Sequence, residues 1–463
     1  MRDYHTEGLI HDAVHGYIAF VSGGLPPGEV AERQVIDHAW VQRLRQIHQL
    51  QTAWWVFPTA EHTRFQHVLG VMHLASRAVA ALYPSLAEVC PDLPSRGYVE
   101  SLVRLAGLLH DVGHGPFGHF LDEHLLADYG LTHETLGSLI IEHELAELLR
   151  GVRRNPNSRL EAGESLDPRQ ISYLVTRPQA DVPAPEWLRL LRTLFCGIYT
   201  VDNMDFVLRD AYMSGYNARA FDLDRLLHYS FFTPQGLTIH ARGLSALVRF
   251  IGVRAELFRT VYFHRTVRAL DLSLSDLFAE SKSLLFPGNP REHLPEYLGF
   301  TEWSLLVDVA RWSRSDDPRR RELGAGWDRL LARDIRWKMA AERTVFFDPG
   351  SAERGSIFSR EAFFVAALRE ALPAALRQIE LRVDLPRHVH RPGTRGPAAG
   401  QNFMYDPARD VVRPLSDHEL IRQLPLSYRI CRVYAPDESL HGELATALDS
   451  LLRSESADDR TNM

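Results

Sequence analysis

The chain has 463 residues, of which 45% are hydrophobic and 24% are charged, proportions typical of a globular protein. Its length allows two or three domains, or one large helical body with an appendage. The formal charge of −7 argues against broad electrostatic binding to nucleic acid, which favours a basic surface, but leaves a local basic pocket open.

The cysteine and hydropathy patterns predict a soluble, cytoplasmic protein. Cys90, Cys196 and Cys431 are odd in number and far apart, which indicates reduced thiols rather than a disulfide framework. The first residues, MRDYHTEGLIHDAVHG, have neither the basic start nor the apolar run of a signal peptide. No stretch approaches the roughly 18 uncharged apolar residues of a membrane span, so we expect no membrane partner.

The first 30 residues predict a β-hairpin followed by a loop. Residues 8–20 alternate apolar and polar side chains around His15 and Gly16, which is the pattern of a short hairpin. The adjacent His11 and Asp12 lie in this strand-like stretch with no histidine cluster nearby in the sequence, so we assign them no chemistry. A helical core over residues 31–290 is predicted to follow.

A long helix in this core is predicted to open at Thr59 or Glu61 and to run through Tyr83. Arg64 and His67 are three residues apart on it, so they share a helix face. A second apolar helix, residues 99–110, leads directly into the segment that dominates the sequence.

That segment is LAGLLHDVGHGPFGHFLD, residues 105–122. Its imidazole and carboxylate side chains are His110, Asp111, His114, His119 and Asp122. An ordinary core histidine would explain one of these side chains but not the group. Residues of these types bind divalent metals and transfer protons. A further histidine, His133, follows Thr132 in the first turn of the next predicted helix.

A helix predicted from Trp187 to Ser214 carries the sequence VDNMDFVLRD. Three- and four-residue steps relate the members of one set there, which lies on one face and its shoulder: Asp202, Asp205, Phe206, Arg209 and Asp210. The pattern alone fits either a solvated helix surface or the lining of a cleft.

Together these residues predict a metal-dependent phosphohydrolase. A divalent ion bound by them would lower the pKa of a bound water and so supply hydroxide as the nucleophile at neutral pH. His110 and Asp111 can both ligate where their helix ends, and His67 and Asp202 would complete a set of four ligands. The proposed acid–base and phosphate-contacting residues are Arg64, His114, His119, Asp122 and His133. The mixed nitrogen and oxygen ligands suit Mn, Fe, Zn, Ni, Co or Mg, and the sequence does not choose among them.

The last third of the chain changes character. Residues 291–378 predict a helical extension, and residues 379–455 an α/β region with the strand-like runs IELRVDL, NFMYD and YRICRVYA. The Gly/Pro-rich loop at 390–401 is expected to be mobile. A final helix is predicted from Leu440 to Leu452, before a disordered tail at 456–463.

The order His67, His110-Asp111, Asp202 resembles the H…HD…D pattern of the HD-domain superfamily of metal phosphohydrolases. Within it the chain resembles the deoxynucleoside triphosphate (dNTP) triphosphohydrolases, particularly the vertebrate SAM-and-HD-domain group, without the SAM domain. The similar stretches are DAVHGYI, QRLRQIHQL, WVFPTAEHTRFQHVLGV, LAGLLHDVGHGPFGHFLD, THE, VDNMDFVLRD, FDLDRL, YFHR and DHELIRQLPLSYRICRVYA. The resemblance implies a mostly α fold: an HD-domain helical body with a short N-terminal hairpin and a small mixed C-terminal region.

The resemblance also implies roles for individual residues. It implies metal ligands at His67, His110, Asp111 and Asp202, and catalytic or phosphate-contacting roles at Arg64, His114, His119, Asp122 and His133. It implies that Gln49 and Asp210 hold the sugar 3′-hydroxyl, and that Arg254 and Tyr262 contact a phosphate and the sugar. The reaction implied is attack on the α-phosphorus of a dNTP, releasing deoxynucleoside and intact triphosphate.

Two departures from the family pattern fall in the substrate site. Asn203 stands where the family has a lysine on the triphosphate, and Phe206 lacks the hydroxyl of the expected tyrosine. Loss of one charge-assisted hydrogen bond weakens binding by about 1–3 kcal/mol. This is enough to shift substrate preference, so other phosphorylated nucleotides stay open.

A regulatory nucleotide site is also implied by the resemblance. The matching positions are Asp37, Arg45, Asp222, Arg225, His264 and Arg265, while the basic residue that the family has near the hairpin falls around Gly8. These positions predict an activating nucleotide and a homodimer or homotetramer. The alternative is that they only pack an oligomer interface.

Three functions remain in competition at this point. The first is a dNTP triphosphohydrolase. The second is the same metal centre acting on another nucleotide or phosphoester, which Asn203 and Phe206 favour. The third is a nucleotide-sensing or nucleic-acid-binding assembly protein with little turnover, which the complete set of ligand residues argues against.

Overall fold

The computed structural model describes residues 4–177, 182–346, 361–389, 402–422 and 427–461. The protein is mostly α-helical, as predicted. The helices are α1 (Glu32–Ile36), α2 (Ala39–Gln42), α3 (Arg64–Val89), α4 (Arg96–Leu109), α5 (His119–His124), α6 (His133–Leu139), α7 (Ala146–Arg150), α8 (Pro168–Val175), α9 (Glu186–Leu191), α10 (Val201–Met213), α11 (Leu223–His228), α12 (Leu244–Leu257), α13 (Arg265–Leu285), α14 (Leu294–Gly299), α15 (Glu302–Val309), α16 (Pro318–Leu331), α17 (Glu361–Ala371), α18 (Glu419–Arg422) and α19 (His441–Thr461).

The strands form three small sheets among the described residues. They are β1 (Glu7–Asp12), β2 (Gly16–Val21), β3 (Ser230–Thr233), β4 (Gly236–His240), β5 (Lys338–Phe346), β6 (Arg382–Asp384), β7 (Arg387–Val389), β8 (Asn402–Asp406), β9 (Val411–Pro414) and β10 (Ser427–Ala435). β1 and β2 form the predicted antiparallel hairpin, with Glu7 opposite Val21. A second sheet has the order β3-β4-β8-β9, with β4 and β8 parallel. In the third, β10 pairs with β5, β6 and β7.

The chain divides into two compact units, each built from separate segments. The first unit comprises residues 1–257, 283–307 and 392–421, and the second comprises residues 258–282, 308–391 and 422–463. The domain boundaries predicted at 30, 290, 378 and 455 stay predictions. Both units draw on distant parts of the chain, which local composition does not reveal.

The core of the first unit is built on α3 and α4, which pack against each other. Val71, Leu74 and Ala78 of α3 are fully buried, as are Leu102 and Leu105 of α4. The apolar residues of each helix recur at three- and four-residue steps, so they form a stripe that faces the partner helix. This packing fixes the start of α3 and the end of α4, where the candidate ligands lie.

The second unit has a sheet covered by two helices. The central strand β10 buries Cys431 and Val433, and α17 and α19 pack onto the sheet through Phe364, Leu444 and Leu448. The predicted strand-like run YRICRVYA lies in β10 and IELRVDL contains β6, whereas NFMYD forms β8 of the first unit. Strand β5 lies within residues 291–378, which were predicted to be a helical extension, so that prediction was wrong there. The Gly/Pro loop at 390–401 lies outside the described residues.

Several predicted helices have different bounds in the structure, among them the stretch predicted to be helical from Leu244 to Leu285. α3 begins at Arg64, because Thr63 and Gln66 form a capping box there, and it continues through Pro84 to Val89. The helix predicted from 187 to 214 is broken after a 3₁₀ turn at 192–194, and α10 starts afresh where the Thr200 hydroxyl accepts a hydrogen bond from the Asn203 backbone N–H.

The other differences lie further along the chain. α12 and α13 are separated by a π-helical turn, Phe258–Tyr262. The last helix runs to Thr461, past the end predicted at Leu452, but its side chains beyond 452 lie outside the described residues. The disorder predicted for 456–463 therefore stays a prediction. No helix in the described ranges is long and apolar enough to cross a membrane.

Candidate metal centre

Three predicted ligands meet where α3 begins and α4 ends. The ligand atoms of His67, His110 and Asp111 all lie within 4.8 Å of one another, a grouping that fits a metal ion. Asp202, in the first turn of α10, brings its Oδ1 to 3.1 Å from His67 Nε2 and to 3.7 Å from His110 Nε2. Imidazole nitrogens and carboxylate oxygens are ligands for the borderline divalent ions of the first transition row.

The orientation of both imidazoles suits metal binding. His110 is the C-cap of α4, and its Nδ1 lies 2.9 Å from the Gly107 carbonyl oxygen, to which it donates. His67 Nδ1 lies 2.8 Å from the Asp205 carboxylate. Because each Nδ1 donates a proton outward, Nε2 is the nitrogen of each ring that faces the cluster, and in the neutral form of the ring it carries the lone pair. The two Nε2 atoms are 3.3 Å apart. The residues present therefore fit a divalent ion, whose identity they do not decide.

Arg64 lies directly against this cluster. Its Nη1 donates to Asp111 Oδ2 at 2.6 Å, and both side chains are buried. Burial opposes ionisation of Asp111, but Arg64 and the neighbouring His110 hold its pKa well below the usual range. Asp111 is therefore a carboxylate, as a metal ligand must be. The Arg64 Nε is buried without a hydrogen-bond partner, so this guanidinium retains donor capacity for a ligand.

A second group of potential ligands adjoins the first. His114, His119, Asp122 and His133 also bring their ligand atoms within 4.8 Å of one another. Asp122 Oδ2 accepts from His133 Nδ1 at 2.5 Å and from His119 Nδ1 at 3.2 Å. His114 stacks on His133 with ring centroids 3.7 Å apart, and its Nε2 lies 3.4 Å from Asp111 Oδ1. His114 thus connects the two groups.

The charge states in this second group differ sharply. Burial, reinforced by the charge of Arg64, holds the pKa of His114 well below its usual range. Burial would raise the pKa of Asp122, but hydrogen bonds from His119 and His133 hold it below the usual range. His119 has a side chain 68% exposed, whereas His114 is fully buried. The group therefore combines a neutral buried ring, an anion, and one imidazole in reach of solvent.

The turn that carries His114 is fixed by partners from remote segments. Arg43 Nη1 donates to the His114 carbonyl oxygen at 2.5 Å, and Tyr297 donates to the Gly113 carbonyl oxygen at 2.8 Å. The fully buried Glu302 accepts from the backbone N–H of Phe117, at 3.3 Å, and from His48 Nδ1. A Cβ at Gly113 would overlap the backbone of α6, so this glycine permits the close approach that stacks His133 on His114.

The residues predicted to bind substrate are only partly brought together. Gln49 Oε1 is buried without a hydrogen-bond partner, and Asp210 accepts from His62 Nε2 at 2.8 Å. Phe206 lies under Arg254, whose Cζ is 5.8 Å from the ring centroid. Asn203 Nδ2 donates to the Ile198 carbonyl oxygen at 3.4 Å. Tyr262 lies in the second unit, where its ring contacts Phe258.

The predicted regulatory residues are spread over both units. In the first unit, Asp37 pairs with Arg33 on an exposed surface, Arg45 stacks on Phe65, and Asp222 caps the backbone of Arg225. In the second unit, His264 Nδ1 accepts from the Thr266 backbone N–H, and Arg265 lines a cavity of about 490 Å³ with Trp337, Lys338 and Tyr434. Their role in nucleotide binding or assembly stays a prediction.

Sequence reasoning missed the support behind His67. Asp205 and Arg209 were noticed only as part of a helix face, and the hairpin pair His11-Asp12 was assigned no chemistry. In the structure Asp12 accepts from Arg209 Nη1 at 2.8 Å, and Arg209 in turn binds Asp205. The tip of the hairpin thus lies against α10, which its local sequence does not indicate, and that Asp12 takes no part in the chemistry stays a prediction. His11 is exposed and stacks on Tyr17.

We expect the metal affinity of the protein to rise with pH. Burial opposes charging of His67, but hydrogen bonds to Asp202 and Asp205 raise its pKa to about 10, and the pKa of His110 is also raised. An imidazole that binds a metal must be neutral, so metal binding releases the His67 proton at every pH below about 10. Each released proton strengthens binding about tenfold per pH unit. Titration of metal-free protein with Mn²⁺ at several pH values tests this, and a pH-independent affinity would contradict it.

Comparisons with known proteins agree with this geometry. The family model for the HD domain matches residues 64–179, which include every residue of both histidine groups. The uncharacterized protein YwfO of Bacillus subtilis is 26% identical over 76% of this chain and 76% of its own length. A crystal structure of a hypothetical protein from Aquifex aeolicus covers 96% of this chain and 100% of its own, with a TM-score of 0.68 and 24% identity, which shows a shared fold.

Several relatives carry a functional name, among them the following two. The deoxynucleoside triphosphate triphosphohydrolase SAMHD1 homolog of Dictyostelium discoideum is 27% identical over 64% of this chain and 54% of its own length. Human deoxynucleoside triphosphate triphosphohydrolase SAMHD1 is 30% identical over 60% of this chain and 45% of its own length. The match thus spans about half the length of these two relatives. Residues 64–179 thus match the family model of the HD domain, and the chain is similar, at 27–30% identity, to deoxynucleoside triphosphate triphosphohydrolases of the SAMHD1 type.

Proposed function

We propose that this protein is a metal-dependent phosphohydrolase that cleaves dNTPs to deoxynucleoside and triphosphate. The observation that carries the proposal is the contact between the two histidine groups, in which His114 lies 3.4 Å from Asp111. A cluster able to hold a divalent ion therefore adjoins a cluster able to move a proton. Hydrolysis of a phosphoester needs both, because negative charge develops on the phosphoryl group while the leaving oxygen must be protonated.

The metal ligands we propose are His67, His110, Asp111 and Asp202. A divalent ion there would supply a polarised phosphate oxygen or an activated water. Arg64, held against Asp111 at 2.6 Å, would bind a phosphate oxygen with its remaining N–H groups.

The leaving 5′-oxygen needs a proton, and we assign this to the His119, Asp122 and His133 group. Asp122 accepts from Nδ1 of both imidazoles, which leaves each Nε2 to face a substrate. A carboxylate in this position stabilises the imidazolium form and fixes the ring orientation. His119, being largely exposed, is our candidate for the ring that recovers its proton from solvent after each turnover.

A deoxyribose would be held by Gln49 and Asp210 in this proposal. The buried Gln49 Oε1 lacks a partner, which is costly unless a ligand supplies a hydrogen-bond donor. Phosphates beyond the first would be bound by Arg254, while the contact of Tyr262 with the sugar stays a prediction. The nucleobase preference and any activating nucleotide are not specified by these residues.

A second candidate is hydrolysis of a different nucleotide or phosphoester at the same centre. Asn203 favours it, because its amide donates to the Ile198 carbonyl oxygen instead of offering a cation. Phe206 favours it as well, because its ring has no hydroxyl to donate to a phosphate.

Product analysis in H₂¹⁸O separates these functions. Protein purified without chelator would be incubated with each dNTP and NTP, with and without GTP or dGTP. We expect deoxynucleoside and triphosphate, with the ¹⁸O label in triphosphate, because water forms a bond to the α-phosphorus while the bond to the 5′-oxygen breaks. Monophosphate with pyrophosphate, or turnover only of another phosphoester, would support the second candidate. Metal binding without turnover of any nucleotide would favour a sensor protein.

A further inference from the structure

The side chain of Asp205 lies behind the candidate metal centre and is completely buried. Its carboxylate accepts from His67 Nδ1 at 2.8 Å, from His15 Nε2 at 2.6 Å, and from Arg209 Nε at 2.9 Å and Nη2 at 3.0 Å. These four hydrogen bonds occupy about all of the acceptor sites of a carboxylate. One of these donors belongs to the ring that turns its other nitrogen to the metal cluster.

The hydrogen bond from His67 to Asp205 sets the tautomer of the ring. With the proton on Nδ1, the lone pair is on Nε2, which lies 3.1 Å from Asp202 and 3.3 Å from His110 Nε2. A carboxylate partner on the outer nitrogen fixes the rotation of a ligating ring and increases its basicity. The position of the Asp205 carboxylate therefore determines where the His67 lone pair points.

Two residues of the N-terminal hairpin in turn fix the position of Asp205. His15 donates to it directly, and Asp12 Oδ2 accepts from Arg209 Nη1 at 2.8 Å, which orients the guanidinium on Asp205. Asp12 Oδ1 also accepts from the backbone N–H groups of Val14 and His15, at 2.9 Å each, and so shapes the turn. The side chains of His15 and Asp12 are only 2% and 9% exposed.

The helix that carries His67 is shaped to admit this network. Gly70 lies one turn after His67, and a Cβ at that position would overlap both Asp205 Oδ1 and Arg209 Nη2. Only glycine leaves room for the Asp205 carboxylate and the Arg209 guanidinium to lie this close to α3. The network is therefore built into the packing of α3 and α10.

We infer that His15 is a positioning residue for the metal ligand His67, acting through Asp205, so that the N-terminal hairpin forms part of the metal centre. This rests on the proposed function only in taking His67 as a ligand. The competing explanation is that His15 merely anchors the hairpin. An anchor would contribute to the stability of the metal-free protein but not to its affinity for a metal.

The test measures metal binding rather than turnover. Metal-free full-length protein would be titrated with Co²⁺ in competition with a chromophoric chelator, and the Co²⁺ absorption bands and the Tm of the metal-free form would be recorded. We expect His15→Leu to weaken Co²⁺ binding by about 10–100-fold, the range for loss of a partner of a metal ligand, and to alter the bands. His15→Gln, which retains an N–H donor, should recover most of the affinity.

The matched control is His11→Leu, because His11 lies on the same hairpin but is exposed. It should leave affinity and spectrum unchanged. If His15→Leu does not fold, Asp12→Asn replaces it and should weaken Co²⁺ binding in the same direction through Arg209. A lowered Tm with unchanged Co²⁺ affinity would overturn the inference, as would wild-type protein that binds no Co²⁺. Wild-type protein that binds Co²⁺ but hydrolyses no dNTP would refute the proposed function and leave the role of His15 standing.

Discussion

Asp111→Asn is expected to strip the protein of its metal and to lower hydrolysis by about a thousandfold or more. A metal ion contributes several kcal/mol of transition-state stabilisation, and about 4 kcal/mol corresponds to three orders of magnitude in rate. The Asp111 carboxylate also receives Arg64 at 2.6 Å and lies 3.4 Å from both His110 and His114. Asparagine retains the shape of the side chain but not its negative charge, so it cannot compensate the positive charges of the metal ion and of Arg64.

The effect on hydrolysis would be measured as product release by chromatography, with metal content determined by mass spectrometry on the same preparation. Asp92→Asn serves as the matched control, because Asp92 lies in an exposed turn between α3 and α4 and should retain both metal and activity. An Asp111→Asn protein that keeps its full metal content and more than about a tenth of its activity would remove Asp111 from the set of ligands.

Arg104→Met is expected to destabilise the first unit by about 3–5 kcal/mol, the usual cost of leaving a buried charge unpaired. Arg104 is 2% exposed and Glu32 is 1% exposed, and the two form a bidentate ion pair at 2.6 and 2.9 Å. Arg104 also donates to Ser76 and to the Ala19 carbonyl oxygen, while Glu32 accepts from the Val21 backbone N–H. The pair therefore fastens strand β2 to α1, α3 and α4.

Urea unfolding followed by circular dichroism would measure this loss as a fall in the midpoint. The double variant Glu32→Leu with Arg104→Met should recover part of the loss, because it leaves no unpaired charge in the core. Arg33→Met is the matched control, since Arg33 forms only an exposed pair with Asp37 and should change stability by less than about 1 kcal/mol. Equal midpoints for Arg104→Met and Arg33→Met would contradict the prediction.

The candidate site was predictable where the sequence pattern is local. His110 and Asp111 are adjacent at the end of an apolar helix, and the structure makes His110 the C-cap of α4. The spacing of Arg64 and His67 placed them on one face of α3, and both do contact the same cluster. In each case the position of the residues in the site follows from a short stretch of sequence and from the periodicity of an α-helix.

The support of the site was not predictable in this way. The contact between His15 and Asp205 joins residues 190 positions apart, and that between His48 and Glu302 joins residues 254 apart. Helical periodicity put Asp205 on a face of α10 but gave no indication of what that face meets. Such pairings follow from tertiary packing, which a single sequence records only indirectly.

The predicted boundaries of the helix at residues 187–214 were wrong for a related reason. The break between α9 and α10 at residues 195–200 follows from the Thr200 cap and from Asn402, whose Oδ1 accepts from the Ile198 backbone N–H at 3.0 Å. A residue 204 positions away thus binds the segment that precedes the helix. The apolar pattern across 187–214 continues through the break and conceals it.

The pairing of β4 with β8 has a consequence for how the chain folds during its synthesis. Strand β4, residues 236–240, pairs with β3 on one side and on the other with β8, residues 402–406, which belongs to the last quarter of the sequence. A nascent chain emerging from the ribosome therefore displays the unpaired edge of β4 until more than 160 further residues have been synthesised. Exposed edges of this kind attract other strands. Assistance from a chaperone during translation should accordingly raise the yield of correctly folded protein.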